Sequence, residues 1–147
     1  MDRKSRRTHS HRVDRRVSRV VLDTSALLYW TLSPELLSKP ARRAIAKAEH
    51  DGILASAISL WEIGLKAQRG TLSLGVPFNE YVERVQRVNV LTFVPADTRV
   101  WLRVLDLQWT HRDPADRVIV ATAELNDLPL VSSDAEIAKY YAKTVWN

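Results

Sequence analysis

Arg19-Val20-Val21-Leu22-Asp23-Thr24-Ser25-Ala26-Leu27-Leu28-Tyr29-Trp30 is the stretch whose reading decides the fold. Val20-Val21-Leu22 is a short apolar run of the kind that forms a strand buried on both faces. Asp23-Thr24-Ser25 then breaks the run with capping residues, and Ala26 to Trp30 continues as a helix. Strand, acid, helix is the opening unit of a parallel sheet.

The rest of the chain repeats the alternation. Pro34 to His50 carries Leu36, Leu37, Ala41, Ala44, Ile45 and Ala48 near helical spacing and stops at Asp51-Gly52. Ile53-Leu54-Ala55 reads as a strand, Ala57 to Arg69 as a helix closed by Gly70, and Pro77 to Val88 as a further helix. Val90 to Val94 is strand-like, Ala96 to Leu107 helical, and Gln108 to Arg112 a polar loop. Pro114 to Asp127 is helical, Leu130 to Ser132 a strand, Ala135 to Tyr141 a short helix and Lys143 to Trp146 a last strand. Short apolar strands separated by helices predict an α/β domain whose parallel sheet is covered on both faces.

With 147 residues, 46% of them hydrophobic, the chain has the material for one core. The absence of cysteine excludes a disulfide scaffold and a thiolate metal site, and it fits a reducing cytoplasm. No apolar stretch approaches the ~20 residues of a membrane span. The net charge of +5 is unevenly placed. Residues 1–19 hold eight of the 22 basic and two of the 17 acidic side chains, which leaves 14 basic and 15 acidic ones for the rest. Residues 1–18 are therefore expected to be a basic arm without fixed structure, and 19–147 the folded domain. Such an arm adds salt-sensitive affinity for RNA or DNA, or is only a solvated tail.

Four carboxylates stand at the junctions between apolar runs and helices: Asp23, Glu62, Asp116 and Asp134. In open parallel sheets, ligands bind beyond the carboxyl ends of the strands, and Asp23 and Asp134 follow strands directly. Local roles compete with a shared one. Asp23 can cap the following helix, while Ser59-x-x-Glu62 and Ser133-Asp134-Ala135-Glu136 have the look of capping boxes. Asp113-Pro114 reads as N-cap then N1, with Asp116 at N3, where an acid suits the helix dipole. Capping does not explain why these acids share one sheet edge. Clustered carboxylates raise each other's pKa unless positive charge meets them, and hard oxygen ligands suit Mg²⁺ or Mn²⁺.

The blocks Leu22-Asp23-Thr24-Ser25-Ala26-Leu27-Leu28, Ser59-Leu60-Trp61-Glu62-Ile63-Gly64-Leu65-Lys66, His111-Arg112-Asp113-Pro114-Ala115-Asp116-Arg117 and Val131-Ser132-Ser133-Asp134 resemble, in order and spacing, those of PIN-domain ribonucleases. Within that family the likeness is to VapC-type toxins of type II toxin–antitoxin pairs, over about residues 19–147. The resemblance implies a three-layer α/β/α PIN-like fold with a central, mostly parallel sheet. It implies an endoribonuclease dependent on Mg²⁺ or Mn²⁺, with Asp23, Glu62, Asp116 and Asp134 as catalytic metal ligands. Thr24, Ser132 and Asp113 would support those ligands from behind. Ser132 stands where many members carry Thr, and Ser25 where close relatives often carry His.

Arg112 and Arg117 flank the third block, where they can contact substrate phosphate or pair with the acids. Lys66 lies one turn from Glu62, at i,i+4 spacing. His111 can act as a base, and Trp109 can stack on a base or serve an interface. The implied partners are an RNA substrate, a cognate VapB-like antitoxin and a second copy of the chain, the last with Pro34–His50 and Pro77–Val88 as candidate surfaces. The competing reading is a non-catalytic PIN-like module that binds RNA or protein.

Overall fold

The computed structural model describes residues 18–147, and the expected basic arm, apart from Ser18, lies outside them. Five strands, β1 (Val20–Leu22), β2 (Ile53–Ser56), β3 (Leu91–Val94), β4 (Leu130–Val131) and β5 (Thr144–Val145), form one sheet in the order β3-β2-β1-β4-β5. Every pairing is parallel, with Val21 of β1 opposite Leu54 on one side and Leu130 on the other. Seven α-helices connect the strands: α1 (Thr24–Leu32), α2 (Lys39–Ala48), α3 (Ile58–Gln68), α4 (Phe78–Gln86), α5 (Thr98–Asp106), α6 (Pro114–Asn126) and α7 (Ala135–Tyr140).

The pleat divides the apolar residues between two cores. Val20, Leu22, Ile53, Ala55 and Val131 pack with buried residues of α1–α4, among them Leu27, Ile45, Ile63 and Tyr81. Val21, Leu54 and Leu130 face the opposite layer, built on Val104, Val118, Ile119 and Ile137 of α5–α7. The expected three-layer arrangement is present, and the sheet is wholly parallel.

Two expectations need correction. Pro34–His50 is not one helix. A 3₁₀ turn (Pro34–Leu36) is separated from α2 by Leu37 and Ser38, and the Ser38 hydroxyl caps α2 by accepting from the Ala41 amide at 3.2 Å. Pro40 dictates the break, because a proline is tolerated in a helix's first turn and not in its interior. The apolar faces expected to serve a dimer are also largely internal, with Leu36 left exposed. Ala41, Ile45 and Ala48 of α2, and Tyr81 and Val85 of α4, are buried in the core. An amphipathic pattern alone does not separate core from interface.

The chain leaves β1 toward β2 and β3 on one side, and toward β4 and β5 on the other. The switch point is therefore between β1 and β4, where a crevice opens beyond the strands' carboxyl ends.

Candidate active site

Asp23 and Ser132–Asp134 leave the sheet at that switch point, and α3 and α6 bring the other acids to it. A cleft of about 340 Å³ is lined by Asp23, Thr24, Ser25, Glu62, Lys66, Asp113, Asp116, Ser133 and Asp134. Acids from four separate blocks meet in one place, with Lys66 as the cationic side chain among those nine lining residues.

Asp23 is the most buried of the acids, 6% exposed. It caps α1, its Oδ1 accepting from the Ala26 amide at 2.8 Å. The capping role and the site role coexist, since one oxygen serves the helix. Burial pushes its pKa up to about 6; hydrogen bonds from Ser132 and Ala26 oppose the rise, and Asp116 and Asp134 add to it. Ser132 is itself buried and accepts from the Asp134 amide at 3.1 Å. One hydroxyl thus bridges two of the acidic segments.

Glu62 is not part of a capping box. The α3 helix begins at Ile58 after Ala57, so Ser59 is inside the first turn rather than at the cap. Ser59 instead lies 2.8 Å from the Thr24 hydroxyl, which donates to Glu62 Oε1. Each hydroxyl carries a single hydrogen, so a donor chain runs from Ser59 through Thr24 to Glu62. Of the acids Thr24 is expected to support, it serves Glu62. Ser59 was not among the expected site residues, although its spacing from Glu62 was its signal. Burial raises the Glu62 pKa; Thr24 and Lys66 oppose the rise, and Asp113 and Asp116 add to it.

Asp116 sits in the first turn of α6, a helix buried from Val118 through Ala123 and thereby fixed in place. Burial raises its pKa, His111 opposes the rise, and Asp113 and Asp134 add to it. Asp113 is the N-cap of α6, accepting from the Ala115 and Asp116 amides at 2.9 and 3.3 Å. Asp134, not Ser133, caps α7, accepting from the Glu136 amide at 2.8 Å, so the second box is replaced by an Asp134 cap.

The flanking residues divide. Arg117 spends its guanidinium on main-chain carbonyls: Nη1 donates to Trp109 and to His111 (3.1 Å), and Nη2 to Val104 (2.8 Å) and Leu107 (3.5 Å). These bonds pin residues 104–111 to α6, in place of the phosphate or carboxylate contact expected from sequence. Arg112 is exposed. Trp109 is engaged within the domain, stacked with His111 at 4.6 Å and with Tyr140 at 5.0 Å between ring centroids. His111 Nε2 lies 2.9 Å from Asp116 Oδ2.

The donor set suits a hard divalent cation. Four carboxylates, with burial raising the pKa of three, hold negative charge that a cation would relieve. His111, Asp116 and Asp134 each offer one ligand atom within 4.8 Å of the others.

The PIN domain family model matches residues 20–143, and the chain belongs to the PIN-domain family. Over 134 residues it is 31% identical to Ribonuclease VapC22 of Mycobacterium tuberculosis, a match covering 86% of this chain and 98% of that protein. Its fold is similar to that of DNA-bound VapBC from Salmonella typhimurium (TM-score 0.61, 19% identity, 83% of this chain and 92% of that one). It is also similar to VapBC2 from Rickettsia felis, bound to a DNA fragment from their promoter (TM-score 0.62, 12% identity, 83% and 92%). Among the described residues, no helix is long and apolar enough to cross a membrane.

Proposed function

We propose that this chain is a VapC-type endoribonuclease, the toxin of a toxin–antitoxin pair, and that it depends on Mg²⁺ or Mn²⁺. The observation that carries the proposal is the meeting of Asp23, Glu62, Asp116 and Asp134 in one cleft at the sheet's switch point. The likeness to a ribonuclease over nearly its whole length supports RNA as the substrate. A divalent cation, when bound, supplies the positive charge that lets a phosphodiester approach these acids. Asp23 and Asp116 would hold it directly. Glu62, held by Thr24, and Asp134, fixed by its capping bond, would complete the set or take up a proton from the attacking water. Asp113 fixes the turn that carries Asp116. Exposed Arg112 and Lys66 are cations that could meet the RNA backbone.

The similarity to toxin–antitoxin complexes supports a protein partner. An apolar cavity of about 240 Å³, lined by Trp30, Leu32, Leu74, Val76, Tyr81 and Val85 among others, is a place for its side chains. Self-association would use α5, where Trp101, Leu102 and Leu105 are 46%, 61% and 79% exposed.

The test is incubation of the antitoxin-free chain with RNA and with duplex DNA, each in Mg²⁺, Mn²⁺ or chelator. Cleavage of RNA alone, stopped by chelator, is expected. Equal cutting in chelator, or a preference for DNA, contradicts the proposal. Binding of RNA without cleavage under every condition favours the non-catalytic module.

A further inference from the structure

Residues 107–113 hold a single imidazole in place from three directions. Arg117 fixes the backbone at the Trp109 and His111 carbonyls. Trp109 stacks on the His111 ring at an interplanar angle of 17° and also stacks with Tyr140 at 16°. The held ring places Nε2 2.9 Å from Asp116 Oδ2. Neither side chain is freely solvated, with 24% of His111 and 19% of Asp116 exposed. A loop histidine present by chance needs no such support. Its Nε2, one oxygen of Asp116 and one of Asp134 lie within 4.8 Å of one another. Ligand atoms about 2.1 Å from a shared octahedral ion stand roughly 3–4.2 Å apart, so this triad needs only a small contraction to close on one cation.

The geometry points to His111 as a nitrogen ligand that joins Asp116 and Asp134 on the cation and tilts the site toward Mn²⁺ over Mg²⁺. The inference rests on the cation-dependent reading proposed above and deepens it by naming a residue that chooses the metal. Mg²⁺ holds oxygen donors and keeps its waters, whereas imidazole nitrogen favours first-row transition ions. An all-carboxylate site would discriminate less. On cation entry the Nε2 lone pair must face the ion, in place of its present contact with Asp116 Oδ2.

The experiment is calorimetric titration of the full chain with Mn²⁺ and with Mg²⁺, beside pulsed EPR of the Mn²⁺-loaded protein. The variants are His111→Phe, which keeps a ring to stack on Trp109, and His111→Ala, with melting curves checking that each is folded. The parent is expected to bind Mn²⁺ at least about tenfold more tightly than Mg²⁺ and to display ¹⁴N coupling from one imidazole. In both variants the coupling should vanish, and the Mn²⁺-to-Mg²⁺ preference should shrink about tenfold or more. Tight Mn²⁺ binding without ¹⁴N coupling, or an equal loss of both ions in the variants, overturns the inference and leaves the proposed function standing. A parent that binds neither ion overturns both.

Discussion

The Thr24 hydroxyl donates to the Glu62 carboxylate, and it does so from the residue immediately after Asp23. The first strand's end thus supplies one acid directly and holds a second through its neighbour. Ser59 extends the chain behind Thr24, and both hydroxyls are buried. Removing a donor there leaves the half-buried Glu62 carboxylate with less support. Thr24→Val is expected to lower cleavage about 10- to 100-fold, the usual loss when a ligand's supporting partner is removed. Its pH–rate profile should move to higher pH, because Thr24 opposes the rise in the Glu62 pKa. An unmoved profile would mean that Thr24 only packs.

Asp23→Asn separates stability from activity. The charge is almost fully buried, and its pKa of about 6 against an ordinary 3.8 makes ionisation near neutral pH unfavourable to the fold. Asn keeps an oxygen to accept from the Ala26 amide while losing the charge. Metal-free Asp23→Asn should be more stable than the parent at pH 7.5, by about 1–3 kcal/mol in denaturant titration, with cleavage reduced about 1000-fold or more. Equal activity with equal stability would remove Asp23 from the site.

The same shift fixes a pH dependence. A carboxylate whose pKa is higher folded than unfolded binds more protons in the folded state, so stability falls as pH rises. For Asp23 the fall spans 3.8 to about 6, and Glu62 and Asp116 are shifted in the same direction. Metal-free protein should melt at a higher temperature at pH 5 than at pH 7.5. Added Mn²⁺ should raise the melting temperature at pH 7.5 and have little effect at pH 5, where protons compete for the ligands. Melting curves with and without Mn²⁺ at the two pH values check both statements.

Arg117 and Arg112 are expected to behave oppositely. Arg117→Ala frees the carbonyls of Val104, Leu107, Trp109 and His111 together. The loss should be about 3 kcal/mol of stability, seen as a lower denaturant midpoint. Arg112→Ala should leave the midpoint unchanged and weaken RNA affinity, more at low salt than at high. Exchange of the two phenotypes would return Arg117 to substrate contact.

Much of the fold was legible in the chain because strand and helix periods alternate cleanly and β1, β2 and β4 are buried along their whole length. Val20-Val21-Leu22 followed by Asp23 placed the first strand and the sheet edge. The break at Ser38 was hidden because Leu36, Leu37 and Ala41 keep helical spacing across it, and Pro40 was the signal passed over. Asp23 was legible because it ends an apolar run, and Asp116 because Asp113-Pro114 marks a helix start three residues before it. Which acid each supporting residue serves was not, since hydrogen bonds such as Ser59 to Thr24 join residues 35 apart and depend on which helix face turns inward. Arg117 illustrates the same limit. Its place beside the Asp-Pro-x-Asp motif suggested phosphate, and only the packing of residues 104–111 on α6 assigns its donors to carbonyls.

On the proposed function, the acids of this cleft form one cation-dependent centre for cutting RNA. Its most direct test is cleavage of RNA by parent and Asp116→Asn in Mn²⁺ and in chelator, with melting curves in parallel. The parent should cut only with the cation, and Asp116→Asn, equally folded, should be slower by about 1000-fold or more and bind Mn²⁺ more weakly. Cleavage by Asp116→Asn at the parent's rate, or by the parent in chelator, contradicts it.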